Sequence, residues 1–257
     1  ASQHEGKMHG CGHDGHTAML LNAARYLSTH RNFGGTVYLI FQPAEEGGNA
    51  GARKMIEDGL FKKFPMDAVF GMHNWPGMKA GQFGVTPGPI MASSNLFSIT
   101  IEGKGTHAGM PHLGNDPIMA AVQTAQAIQT IVSRNRHPME AAVVSITQIH
   151  AGSATNVIPN VAELKGTVRT FTTETLDMIE TRMNEIISST ARALGCEGTL
   201  VFERKYPPTI NTEAEAALCI DVMKSIVGPE NVDPKVVPTM GAEDFSFMLQ
   251  EVPGCYV

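Results

Sequence analysis

No apolar run in this 257-residue chain reaches the roughly 20 residues that a membrane-crossing helix needs. Clusters of Lys and Arg are also missing. The 25 acidic residues outnumber the 19 basic ones and leave a formal charge of −6. That balance argues against a nucleic-acid partner, and an acidic surface argues against an anionic membrane. Residues 1–10 are polar and are expected as a loop rather than a secretory leader. Cysteine is scarce and scattered, at positions 11, 196, 219 and 255, whereas a disulfide framework in a small secreted fold is denser. With fifteen methionines beside them, these thiols are expected to stay reduced in a cytoplasmic protein. Internal repeats and low-complexity segments are absent as well. What remains is one large or two modest globular domains with 42% apolar residues.

The order of elements is that of an α/β protein. Residues 16–31 carry a helical stripe of Ala18, Leu20, Leu21, Ala24 and Leu27, broken by Gly34-Gly35. Thr36 to Phe41 is a nearly continuous apolar run, expected as a strand buried on both faces and stopped by Pro43. A helix over 49–58, with Gly59 at its end, precedes a strand over 67–72. After residue 90 the pattern changes. Strands over 95–103, 142–149, 162–171 and 199–206 and helices over 116–134 and 175–194 give the order β-α-β-β-α-β. We place this smaller two-layer domain at 90–205 as an insertion between 1–89 and 206–257. Helices over 213–227 and 243–250 are too few for a core of their own and are expected to pack on the first region.

Donor side chains fall in short islands between these elements. Cys11 and His13 lie in Gly10-Cys11-Gly12-His13-Asp14-Gly15-His16, Glu45 and Glu46 in Phe41-Gln42-Pro43-Ala44-Glu45-Glu46-Gly47, and His73 in Gly71-Met72-His73-Asn74. Open α/β sheets bind ligands at the strand ends where the glutamates and His73 are expected. Mixed thiolate, imidazole and carboxylate donors suit zinc or another first-row divalent metal. Alone, the Cys11–His13 pair reads as a buried cysteine beside a structural histidine, and Glu45-Glu46 as a solvated turn. Taken together the islands favour a metal centre, in which one glutamate ligates and its neighbour handles the proton of a water. Asp14 is placed to ligate, bridge or orient His13, and His9 and His16 flank the pair.

A second polar island, Gly105-Thr106-His107-Ala108 through Pro111-His112, reads by pattern alone as a surface hairpin or interface, with a histidine that reaches a substrate if the domains face each other. Asn156 and Arg169 offer donors to a carboxylate, or are surface residues. Glu243 and Asp244 suit the N-terminus of the helix that follows, and their position also permits contact with the metal loop.

These islands, with Asn156-Val157-Ile158-Pro159 and Met240-Gly241-Ala242-Glu243-Asp244-Phe245, resemble metallopeptidase family 20 from Met8 almost to the end. The family contains aminoacylases, carboxypeptidases, hippurate hydrolases and auxin-conjugate amidohydrolases, and the Cys11 motif resembles the amidohydrolase branch. The resemblance implies a three-layer zinc-peptidase-like catalytic domain with an inserted lid or dimerisation domain and, through it, a homodimer. It implies two divalent ions (Zn, Mn, Co or Ni) per complete site and hydrolysis of the amide bond of an N-acyl amino acid. Cys11, His13, Glu46 and His73 correspond to metal ligands, Glu45 to the general base and His107 to the residue polarising the scissile carbonyl. Asn156, His112 and Arg169 correspond to substrate-side residues. Relatives also have sheet strands upstream of the Cys-Gly-His loop and a last metal-binding histidine downstream. The chain is therefore expected to be truncated at both ends, and poorly metallated or inactive alone. A dipeptidase or carboxypeptidase of the same fold is the alternative, as is an inactive dimerising module.

Overall fold

The computed structural model describes residues 3–7 and 10–257, so His9, one of the flanking candidates, lies outside the described residues. The chain divides into two compact units. Unit 1 comprises 1–90, 210–238 and 244–257, and unit 2 comprises 91–209 and 239–243. No helix among the described residues is long and apolar enough to cross a membrane.

Unit 1 begins with helix α1 (His13–Thr29), which contains no buried residue, leaving Leu21 and Tyr26 exposed. Helix α2 (Gly51–Glu57) ends before Gly59, whose φ of +93° is the left-handed value that a glycine adopts without strain. Strand β1 is Val69–Gly71.

The strand expected at 36–41 is not formed. The segment carries no ladder among the described residues, and Val37, Tyr38, Leu39 and Phe41 are exposed. Its composition has the right propensity, but a strand exists only where neighbouring backbone accepts and donates its bonds. The glutamates consequently follow a segment without a ladder rather than a sheet edge.

Unit 2 follows the β-α-β-β-α-β order. Its main elements are β2 (Ser94–Glu102), the short β3 (Thr106–His107), α3 (Pro117–Thr130), β4 (Ala142–Ala151), the short β5 (Val157–Ile158), β6 (Val161–Thr170), α4 (Thr173–Ala193) and β7 (Glu197–Tyr206). The four long strands make one antiparallel sheet in the order β4-β6-β2-β7. Alternation along β2 buries Phe97, Ile99 and Ile101, and β6 buries Ala162, Leu164 and Val168. They pack with Ile128 of α3 and Ile179, Met183 and Ile187 of α4 in one core. The helices start where the sequence supplies caps: Asp116 accepts from Ile118 N–H at 2.8 Å, and Thr172 accepts from Thr175 N–H at 3.2 Å. One turn of π-helix, Ile131–Asn135, ends α3.

The chain then returns to unit 1 with α5 (Glu213–Val227), α6 (Ser246–Glu251) and β8 (Gly254–Tyr256). β8 lies parallel to β1, with Gly71 opposite Tyr256. Asn211, buried, clamps this strand. Its Nδ2 donates to Tyr256 O at 2.9 Å and to Thr86 O at 3.0 Å, and its Oδ1 accepts from Tyr256 N–H at 2.7 Å. Asn211→Ala leaves these buried backbone groups unpaired and is expected to cost about 2–3 kcal/mol. A lowered urea midpoint with an unchanged slope would confirm it.

Candidate metal centre

The loop before α1 is shaped by left-handed backbone. Cys11 has φ 51° and Gly12 φ 80°. A Cβ on Gly12 would lie 2.3 Å from Asn74 Oδ1, so only glycine lets the Cys11–His13 loop approach the residue after His73 so closely. On the other side, β8 fixes the chain leading to His73: Val257 N–H donates to Gly71 O at 3.1 Å, and His73 N–H donates to Val257 O at 2.9 Å.

Within unit 1 five donor residues converge. Atoms of Cys11, His13 and His73 lie within 4.8 Å of one another, as do those of His13, Glu45 and Glu46. His13 is common to both groups. Cys11 Sγ is 3.6 Å from His73 Nε2. Two donors on one tetrahedral zinc, at ordinary sulfur and nitrogen distances, are about 3.5 Å apart. His73 Nδ1 lies 2.6 Å from the Asn74 carbonyl, which takes its proton and leaves Nε2 as a lone-pair donor. His13 Nε2 is 3.9 Å from Glu45 Oε2. The donor set and its spacing fit a divalent ion.

Asp14 belongs to neither group and lies exposed in the first turn of α1. His16 packs against His73, with ring centroids 4.3 Å apart, and its Nε2 accepts from Asn74 N–H at 3.0 Å. Burial lowers its pKa first, helped by His73 and His13, while the Asn74 side-chain oxygen, 2.6 Å from Nε2, and Asp14 oppose.

The glutamates sit in a tight loop. Glu45 precedes a single 3-10 turn, Glu46–Gly48, and its side chain is 18% exposed, whereas Glu46 is exposed. Ala44 and Ala50, at either end, both have φ 52°, a strained value for a residue with a Cβ. A Cβ on Gly51 would lie 1.7 Å from Pro43 O. Composition does not signal this geometry, because alanine carries no preference for left-handed backbone.

The residue that holds the loop comes from far along the chain. The carboxylate of Asp244, fully buried, accepts from Gln42 Nε2 through Oδ1 and from Ala52 N–H through Oδ2 at 2.9 Å. These bonds tie the carboxylate to the first turn of α2, while the Asp244 carbonyl accepts from Phe247 N–H at 3.0 Å at the start of α6. Of the two roles the sequence offers for Asp244, contact with the glutamate loop is observed.

In unit 2, β3 and β5 pair antiparallel, with His107 opposite Val157, and Ala108 N–H donates to Asn156 O at 2.9 Å. His107 Nδ1 accepts from Gly109 N–H at 3.0 Å, which leaves the ring proton on Nε2, the outward donor of a neutral imidazole. His112 lies exposed in a 3-10 turn, Pro111–Leu113. Arg169, on β6, is half-buried, and among the described residues no acidic group forms an ion pair with it; burial holds its guanidinium below the ordinary range.

The model of peptidase family M20/M25/M40 matches residues 1–257, and the chain belongs to this family. It is 41% identical over 257 residues to an N-acetyl-L-cysteine deacetylase of Bacillus subtilis, covering 100% of this chain and 60% of that protein. It is 43% identical over 249 residues to a hippurate hydrolase of Campylobacter jejuni, covering 97% of this chain and 64% of that protein. Among solved structures, a Bacillus subtilis protein described as a dinuclear metal binding peptidase superposes with a TM-score of 0.83 at 35% identity, over 100% of this chain and 65% of that one. The chain thus spans about three-fifths of the length of the relatives it matches.

Proposed function

We propose that the protein hydrolyses the amide bond of N-acyl amino acids, releasing a carboxylic acid and a free amino acid. The observation that carries this reading is Glu45, a mostly shielded carboxylate 3.9 Å from a histidine that belongs to two donor groups. A purely structural metal site has no use for such a neighbour. Relatives named for deacetylation of N-acetylcysteine and hydrolysis of hippurate support the same class.

In this mechanism Cys11, His13, Glu46 and His73 would hold divalent metal, two ions in the complete site, with zinc, manganese, cobalt and nickel all compatible. Bound metal would polarise the scissile carbonyl and acidify water at neutral pH. Glu45 takes the proton of the attacking water and returns it to the leaving nitrogen. His107, with its proton on Nε2, donates to the carbonyl oxygen. Arg169 and Asn156 receive the substrate carboxylate, and His112 lies on the substrate side. The inserted 90–205 segment is the lid and the homodimer module. Its edge strand β4 supports that assignment, because residues 147–151 are exposed and such an edge is a ready pairing surface.

The test is a substrate panel on the full-length, metal-loaded protein, with N-benzoylglycine and N-acetyl amino acids set against dipeptides with a free amine. Turnover of the acylated substrates at least tenfold faster in kcat/KM is expected. The reverse order establishes the dipeptidase reading instead, and metal binding without turnover of either class overturns both.

A further inference from the structure

Two of the four cysteines meet in unit 1. Cys255, in β8, is fully buried in a small core with Val85, Ala216, Met223 and Val232, and Cys219 of α5 packs against that core while remaining partly exposed. Both are free thiols, and α5 packs against β8 where they meet. The Cys255 thiol donates to Tyr256 O at 3.8 Å. Neither cysteine belongs to the donor groups around His13.

The geometry points to Cys219 and Cys255 as a peroxide-oxidisable dithiol that closes to an intramolecular disulfide between α5 and β8. The partners are unequal in the way this reaction needs. Cys219 is partly exposed and reachable by peroxide, whereas Cys255 is fully buried. The neighbouring Cys255 thiol lowers the Cys219 pKa, against burial and the nearby Glu215, which oppose. The Cys219 thiol, then burial, pushes Cys255 up, so it keeps its proton. Exposure and thiolate character therefore coincide on Cys219, and the resolving thiol lies directly behind it.

In the first step the Cys219 thiolate attacks one peroxide oxygen. An S–O bond forms and the O–O bond breaks, giving a sulfenic acid and a hydroxide that takes a proton to become water. In the second, the Cys255 sulfur attacks the Cys219 sulfur. The S–S bond forms, the S–O bond breaks, and the departing hydroxide leaves with the Cys255 proton as a second water. Peroxide gains two electrons and the two thiols lose them. The bond would tie α5 to the strand whose next residue, Val257, accepts the His73 N–H at 2.9 Å.

The experiment uses the full-length, metal-loaded protein, treated with stoichiometric hydrogen peroxide, alkylated, and digested without reduction for peptide mass spectrometry. The expected product is a Cys219–Cys255 linked peptide, lighter by two hydrogens than the reduced pair and abolished by dithiothreitol. In Cys255→Ser and Cys255→Ala, Cys219 instead accumulates as a dimedone adduct. Full alkylation of both cysteines in the treated wild type overturns the proposal, as does linkage of Cys219 to Cys11 or Cys196.

Discussion

Glu45→Gln is expected to lower kcat on an N-acyl amino acid by about 10²- to 10⁴-fold, the range associated with removing a general base, while bound metal and thermal stability stay at wild-type levels. The substitution keeps the shape of the side chain and its reach toward His13, now 3.9 Å from Oε2, but removes the basic oxygen that takes the water proton. Glu46→Gln is the necessary companion. If Glu46 is the ligand, its amide loses metal, measured by elemental analysis after gel filtration, and turnover falls for that reason. Both glutamates lie within reach of the same histidine, so the two variants discriminate the assignment from its mirror image. Metal loss in Glu45→Gln with retention in Glu46→Gln exchanges their roles. Unchanged turnover in Glu45→Gln removes it from the mechanism.

What the sequence makes legible follows from how local each signal is. The long elements of unit 2 emerge within a few residues at most boundaries, because period-2 alternation in β2 and β6 and the apolar faces of α3 and α4 record which side chains face one core. The donor islands are legible because unusual residue types stand together. Two things were not. Thr36 to Phe41 has the composition of a central strand, yet strand formation depends on partners that composition cannot supply, and the side chains meant for a core are exposed. The left-handed backbone at Cys11, Ala44 and Ala50 is equally hidden, since glycine is the usual signal for that conformation and none of these is glycine.

Asp244 shows how such a non-local feature controls the site, and its replacement is the second large effect expected. The carboxylate presents two acceptors to two donors, Gln42 Nε2 on one side of the glutamate loop and Ala52 N–H on the other, the latter 192 residues away in sequence. Asparagine has nearly the same shape but only one acceptor oxygen, so whichever way its amide turns, one NH₂ faces another donor. Asp244→Asn is therefore expected to lose about 2–3 kcal/mol, from a broken charge-assisted bond and an unsatisfied buried group. At a few degrees per kcal/mol for a chain of this size, that is a clear drop in Tm. The loop between the two anchors already holds Ala44 and Ala50 in strained conformations and relaxes when either end is released. Turnover should fall with Tm, accompanied by weakened metal retention. This signature separates a positioning residue from the base: Glu45→Gln loses rate while keeping stability and metal, whereas Asp244→Asn loses all three together. A variant with normal Tm and metal but no turnover would instead place Asp244 in the chemistry itself.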